Sequence, residues 1–342
     1  MSAAPLATDA PARVQPWIAP QSSALLRQRG HAWLLQGPPG LGQYALALEL
    51  VRAWLCDAPT PAGACGVCTS CHAIDVRTHA DLCVLMPEVL MLDLCWPLDE
   101  KTQSDLDEKK RKPSREIKVE AARDLVAFTQ RTRSRGVTKA VLVYPAERMN
   151  PIAANALLKT LEEPPGDVKF VLASHAADQL LATIRSRCLT HTMHWPDAAA
   201  AGDWLTSQGI EASEAKVLLR AAGGRPESAL DFARSGRDAA RWRAIPKAAL
   251  AGNVAAFDGF SPAAAVDALQ KLCHDQMAEA VGSAPLFFDS ADLPRITAPL
   301  TALTRWSKML FETSRTVEHP FNPGLMLESL VSQAQSALNL RA

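Results

Sequence analysis

The chain has 342 residues, with 36 basic against 36 acidic and 48% apolar. That length suits two or three domains, and the charge balance excludes a global pull toward nucleic acid or an anionic membrane, leaving only local patches. No apolar run approaches the roughly 18 residues of a membrane span.

Met1 to Pro20 is rich in Ala and Pro but lacks a basic start followed by an apolar core. It is therefore not expected to be a secretory signal, and the protein is expected in the cytoplasm, where disulfides are rare. Its eight cysteines then need another explanation.

The first element is the apolar run His31-Ala-Trp-Leu-Leu-Gln36, readable as a buried strand. Gly37-Pro-Pro-Gly-Leu-Gly-Gln-Tyr44 follows, and Tyr44–Leu55 carries Ala and Leu at helical spacing. Strand, glycine loop and helix form the setting of a phosphate-binding loop, G-x-x-x-x-G-K-[ST]. Gly37 and Gly42 hold its two glycine positions and Gly40 adds a third turn residue. Gln43 stands where a lysine should reach the terminal phosphates. Tyr44 stands where a small hydroxyl should ligate magnesium. A neutral amide does not offset triphosphate charge, and a phenol is too large for the metal slot. The loop has a nucleotide hydrolase's backbone without its chemical groups. The plainer reading is an ordinary strand-to-helix turn.

Next come Cys56, Cys65, Cys68 and Cys71, two overlapping C-x-x-C units with a fourth thiol one loop upstream. Thiolates at this spacing can face one ion, and tetrahedral zinc takes four soft ligands. Pro59, Pro61, Gly63 and Gly66 supply tight turns. A closed four-thiolate site has no open position, so its role would be structural. His72 is a substitute ligand in principle. A redox C-x-x-C or a set of buried thiols are the other readings. Cys83, Cys95, Cys188 and Cys273 each stand alone and read as buried free thiols.

Strand-like runs recur at Leu82–Met86, Ala140–Tyr144, Lys169–Ala173 and Leu189–Met193. Helical patterns at Lys118–Arg131, Ile152–Glu162 and Asp178–Arg185 separate them. The alternation predicts a doubly wound parallel sheet. Residues 87–115 differ in texture: apolar to Trp96, then a charged run from Asp99 to Arg115, read as a solvated or disordered insertion. A nucleic-acid role for Lys109–Lys112 is disfavoured by the acidic residues before it. A working hydrolase would end the strand at Val141–Tyr144 in Asp-Glu, to hold magnesium and polarise water. Here Pro145 and Ala146 hold those places and Glu147 comes later.

After Pro196 the strand patterns stop. Asp197–Arg234 reads as short helices with a boundary at Gly223-Gly-Arg-Pro226. The Ala- and Leu-rich remainder is helical, with breaks at Pro262, Pro285, Pro294 and Pro320.

Two further motifs, Asn155-Ala-Leu-Leu-Lys-Thr-Leu-Glu-Glu-Pro-Pro165 and Leu181-Ala-Thr-Ile-Arg-Ser-Arg-Cys188, complete a pattern. With the glycine loop and the cysteine knuckle in this order, the chain resembles the bacterial polymerase III clamp-loader subunits of the AAA+ family. The resemblance is dense over residues 24–195 and architectural beyond. It implies a RecA-like AAA+ α/β domain over 1–195, a small helical lid over 196–238 and an all-α collar over 239–342. It implies a pocket without productive ATP binding and a structural zinc on Cys56, Cys65, Cys68 and Cys71.

It further implies that Arg187 of the Ser186-Arg-Cys triplet is offered in trans to ATP on an adjacent subunit. The implied partners are gamma/tau and delta subunits in a hetero-pentameric ring, with the sliding clamp and primer-template DNA reached through the assembly. By itself Arg187 would read as a surface ion-pair arginine. Two other functions compete: an active AAA+ ATPase with divergent pocket residues, and a zinc-knuckle nucleic-acid binder, which neutral charge and few aromatics near the cysteines disfavour.

Overall fold

A computed structural model describes residues 15–136, 138–317, 319 and 322–340. The stretch 1–14, which holds most of the segment read as lacking a secretory signal, and the break expected at Pro320 lie outside them. The chain divides into two compact units, Met1–Pro196 and Asp197–Ala342.

The first unit opens with α1 (Ile18–Leu26), then β1 (Ala32–Gln36), α2 (Gln43–Leu55) and α3 (Thr69–Asp75). There follow β2 (Leu82–Leu85), α4 (Glu88–Asp93), α5 (Glu100–Asp107), α6 (Val119–Gln130), β3 (Lys139–Val143) and α7 (Pro151–Glu162). The unit closes with β4 (Val168–Ser174), α8 (Ala182–Arg185) and β5 (Leu189–Thr192). The five strands make one all-parallel sheet in the order β2-β3-β4-β1-β5. Such a sheet is covered on both faces, so its central strands read as continuous apolar runs rather than alternating ones. Accordingly all five residues of β3 are buried. Ala32, Leu34, Val141, Val143, Phe170 and Leu172 face a core with Leu125 of α6 and Leu157 and Leu161 of α7. The alternate residues turn to the other face, where α2 packs against β3 and β4 and buries Leu46, Leu50 and Val51. The expected α/β class is what the unit shows.

Two segments differ from the sequence expectation. Asp178–Arg185 is not one helix: a 3-10 turn at Ala177–Gln179 and the four-residue α8 flank an extended Leu180. Burial of Leu180 against the core accounts for the break. The charged run after Asp99 is not loose. Asp99 caps α5 by accepting from Thr102 N–H at 2.9 Å, and the Glu88 carboxylate ties down the far end by binding Arg111 and the Ser114 N–H. Its side chains are largely solvated, as expected.

The second unit's described elements are all helices: α9 (Ala198–Ser207), α10 (Ala212–Ala221), α11 (Pro226–Arg234), α12 (Ala239–Ala251), α13 (Pro262–Ala280), α14 (Leu300–Ser314) and α15 (Pro323–Leu338), with a 3-10 turn at Val254–Phe257. The break expected at Pro262 lies between Phe257 and α13, which Pro262 opens behind the capping hydroxyl of Ser261. At that first helical position the missing N–H costs no intrahelical bond. Trp306, Phe257 and Phe288 are fully buried within this unit. The carboxylate of Asp275, also fully buried, accepts the backbone N–H groups of Leu286, Phe287 and Phe288 at 2.7–2.9 Å.

Candidate functional site

The glycine loop leaves the carboxyl end of β1, the edge at which open parallel sheets place their ligand crevice. It is tied to its neighbours there: Gly37 N–H donates to Ser174 O of β4, and Met193 N–H donates to Gln36 O. A side chain at Gly37 would press on Met193 at 3.0 Å. Gly42 has φ +90° at the N-cap of α2, a left-handed geometry that favours glycine, and Gly40 has the same φ. These are the conformations and close approaches of a phosphate cradle leading into a helix N-terminus.

The chemical groups are turned elsewhere. Gln43 is 1% exposed. Its amide donates to Gly37 O at 2.6 Å and to Pro38 O at 2.8 Å. The side chain in the lysine's place thus bonds the loop's own carbonyls. Tyr44 Oη accepts from the indole N–H of Trp96 at 2.8 Å. Burial raises the Tyr44 pKa, an effect partly offset by Arg77, so the phenol stays neutral.

Tyr44 lies 5.3 Å, ring to ring, from Tyr144 at the end of β3. Tyr144 Oη in turn meets His175 Nε2 at 3.2 Å, past the end of β4. Glu147 does return to this edge: its Oε1 accepts the His175 N–H at 3.1 Å. Burial lowers the His175 pKa, against the pull of Glu147. On the other flank the Trp17 indole donates to Leu41 O at 2.8 Å. This edge of the sheet is therefore occupied by the buried Gln43 and an aromatic row. Trp96, Trp17 and His175 escaped the sequence reading, because they lie outside the motif and only the fold brings them to it.

The knuckle follows α2. Its four sulfurs lie within 4.8 Å of one another, with Cys56 and Cys68 Sγ at 3.8 Å. Thiolates at about 2.3 Å from a tetrahedral zinc would stand about 3.8 Å apart, so the donors fit such an ion. Cys65 N–H points at Cys56 Sγ and Cys71 N–H at Cys68 Sγ. Gly63 and Gly66 take positive φ in the turns, and the Asp57 carboxylate braces Ser70. Backbone N–H groups, that of Val67 foremost, pull the Cys65 thiol down to about 6, while burial pushes Cys71 up to about 12. His72 is exposed on α3 and is not part of the cluster. Of the lone cysteines, Cys273 is buried and Cys83 and Cys188 partly so, but Cys95 is exposed, contrary to expectation, because it sits in a left-handed turn (φ 56°) at the surface.

Arg187 lies between α8 and β5. Its guanidinium donates to the Glu162 carboxylate at 2.7 and 3.0 Å and to Thr183 O at 3.0 Å. Ser186 and Arg185 are exposed beside it. Glu162 belongs to the Asn155–Pro165 motif, so the fold joins the two sequence signatures.

A five-stranded parallel α/β unit, in which a glycine loop leads from β1 into the N-terminus of α2, is followed by an all-helical unit. Residues 21–196 match the family described as DNA polymerase III, delta subunit, just over half of the chain, and the chain belongs to that family. It is 42% identical over 204 residues to DNA polymerase III subunit delta' of Pseudomonas aeruginosa, a match covering 59% of this chain and 55% of the relative. It is 34% identical over 224 residues to the Escherichia coli delta' subunit, covering 64% and 60%. The matches thus span little more than half of these relatives' length. A solved gamma subunit-related protein from Thermotoga maritima aligns with a TM-score of 0.48 at 16% identity, over 94% of this chain and 100% of that one, a likeness too slight to bear on function.

Proposed function

We propose that this chain is a non-hydrolysing delta-prime subunit of a DNA polymerase III clamp loader, an assembly component rather than an ATPase. The observation that carries the reading is the Gln43 amide bonded to Gly37 O and Pro38 O. A working pocket presents a lysine ammonium and a small hydroxyl to phosphate and magnesium. This one presents an inward-turned amide and a phenol, and no acidic pair follows Tyr144.

Arg187 is the group kept for a neighbour. Transferred from Glu162 to a triphosphate on the adjacent gamma/tau subunit, its planar fork would offset charge developing in the transition state, an effect worth roughly 10³–10⁵ in rate for such fingers. In this reading Ser186 shapes the turn that presents it. Zinc on Cys56, Cys65, Cys68 and Cys71 would supply fold stability alone, since four thiolates leave no coordination position open. The lid (196–238) and collar (239–342) would hold the chain in a five-membered ring with gamma/tau and delta subunits. The clamp and primer-template DNA would be met by the whole assembly, in the cytoplasm.

The test is reconstitution. Mixed with gamma/tau and delta subunits of its own organism, the chain should co-elute in one complex, and alone it should turn over no ATP. Turnover by the isolated chain, free of contaminating subunits, would favour the divergent-ATPase reading. Failure to join the complex would end the clamp-loader reading.

A further inference from the structure

We propose that residues 87–115 are a resident plug of the P-loop cleft, with Trp96 as the group that fills its metal end. The inference rests on the reading of that cleft as nucleotide-free and gives the insertion a role.

Position 44 is where a P-loop hydroxyl ligates magnesium. Here that position carries a phenol, and the phenol accepts the Trp96 indole N–H at 2.8 Å. Trp96 is only 6% exposed, although Cys95 and Pro97 on either side are exposed. Its ring also lies under the Arg77 guanidinium, 4.5 Å from centroid to Cζ. A tryptophan buried alone in an exposed stretch, with its N–H satisfied by the loop's own side chain, is an anchor rather than a surface residue. Behind it the aromatic row runs on through Tyr144 to His175.

The rest of the segment holds Trp96 in place. Met91 O accepts the backbone N–H of Trp96 at 2.8 Å, closing the end of α4 after the left-handed Cys95. At the base, Glu88 gathers Arg111, the Ser114 N–H at 2.8 Å and Lys118 Nζ at 3.2 Å, and Val89 N–H bonds Ser114 O. The two ends of the insertion are thereby stapled together, making it a closed flap. Nucleotide binding fixes the loop in an ordinary P-loop domain. In this chain the flap would do so permanently, as suits a subunit whose geometry does not cycle.

Hydrogen exchange in the full-length chain tests this. In Trp96→Ala the peptide covering residues 37–44 should exchange at least tenfold faster than in wild type, while peptides from β4 and from the 56–71 knuckle keep their rates. Unchanged exchange at 37–44 would overturn the plug. If the alanine variant also loosens β4, Trp96→Leu decides: it keeps apolar fill but loses the indole N–H and the ring under Arg77, and an unchanged rate there overturns the proposal equally. A separate arm titrates wild-type chain with magnesium and the fluorescent analogue mant-ATP, where no binding is expected. Binding by wild type would sink the nucleotide-free reading itself, whatever Trp96 does to exchange.

Discussion

At the scale of single residues, the pocket is decided by where one amide points. Gln43 could have reached outward as a lysine does. Instead it satisfies Gly37 O and Pro38 O, two carbonyls that phosphate chemistry does not use. Gln43→Leu removes both bonds and leaves those acceptors beside an apolar side chain. The loss should be about 1–3 kcal/mol of stability, in the range for leaving buried polar groups unmade. Gln43 Oε1 itself has no partner, so deleting it offsets part of that cost and the outcome belongs at the lower end. Urea denaturation of the two proteins measures it. An unchanged midpoint would mean the amide is incidental to the loop. The sequence showed that position 43 lacked a cation, but not that the side chain had turned inward, because a rotamer has no signature in a motif.

At the scale of elements, the knuckle and the flap are small closed loops with different fastenings. The knuckle's spacing was legible because metal ligation imposes it. Its backbone support was less so, since the N–H groups of Cys65 and Cys71 aimed at sulfur arise from turns. Cys68→Ser should abolish a bound zinc, detected by elemental analysis of the purified chain, and should unprotect amides at 56–75 while the sheet's far-ultraviolet signal survives. Structural zinc is worth on the order of 10–16 kcal/mol in peptides, enough to make so short a segment depend on it. Wild-type chain carrying no metal would remove zinc from the account.

The flap answers to acid instead. Burial alone would push the Glu88 carboxyl up, but Arg111, the Ser114 N–H and Lys118 together hold it below its usual value. A depressed carboxyl contributes stability above its unfolded pKa and loses it as pH falls through the folded one. Protection factors at 87–96, taken relative to intrinsic exchange at each pH, should therefore fall on acidification below the usual carboxylate range. Glu88→Gln should be poorly protected already at neutral pH, and its protection should lose that dependence. The sequence leaves the charged run from Asp99 to Arg115 as a solvated or disordered insertion, because its fastening pairs Glu88 with residues 23 to 30 positions away, beyond any local pattern.

At the scale of the whole molecule, the strands and the change to an all-helical chain after Pro196 were legible because apolar periodicity follows burial. The aromatic row beside the glycine loop was not, because it joins four separate segments. The arginine assigned to a neighbour can be judged only in the assembly. In the isolated chain Arg187 is satisfied by Glu162 and Thr183, which would make it an ordinary surface ion pair, worth about 0–1 kcal/mol. Arg187→Ala should accordingly leave folding and assembly intact. If the guanidinium transfers to a neighbour's triphosphate, the assembled loader should lose hydrolysis at one interface and keep it at the others. Total ATPase should then fall in part, and clamp loading onto DNA should fall further, since loading needs the sites together. Arg187→Lys should rescue poorly, because a point charge lacks the planar fork. Arg185, exposed two positions away, serves as the control and should tolerate alanine. Glu162→Gln separates the two roles of Arg187: it weakens the resting pair without touching the finger, so loading should hold or rise. Wild-type loading by a normally assembled Arg187→Ala complex would return Arg187 to the surface pair seen here, with the fold and the metal site unaffected.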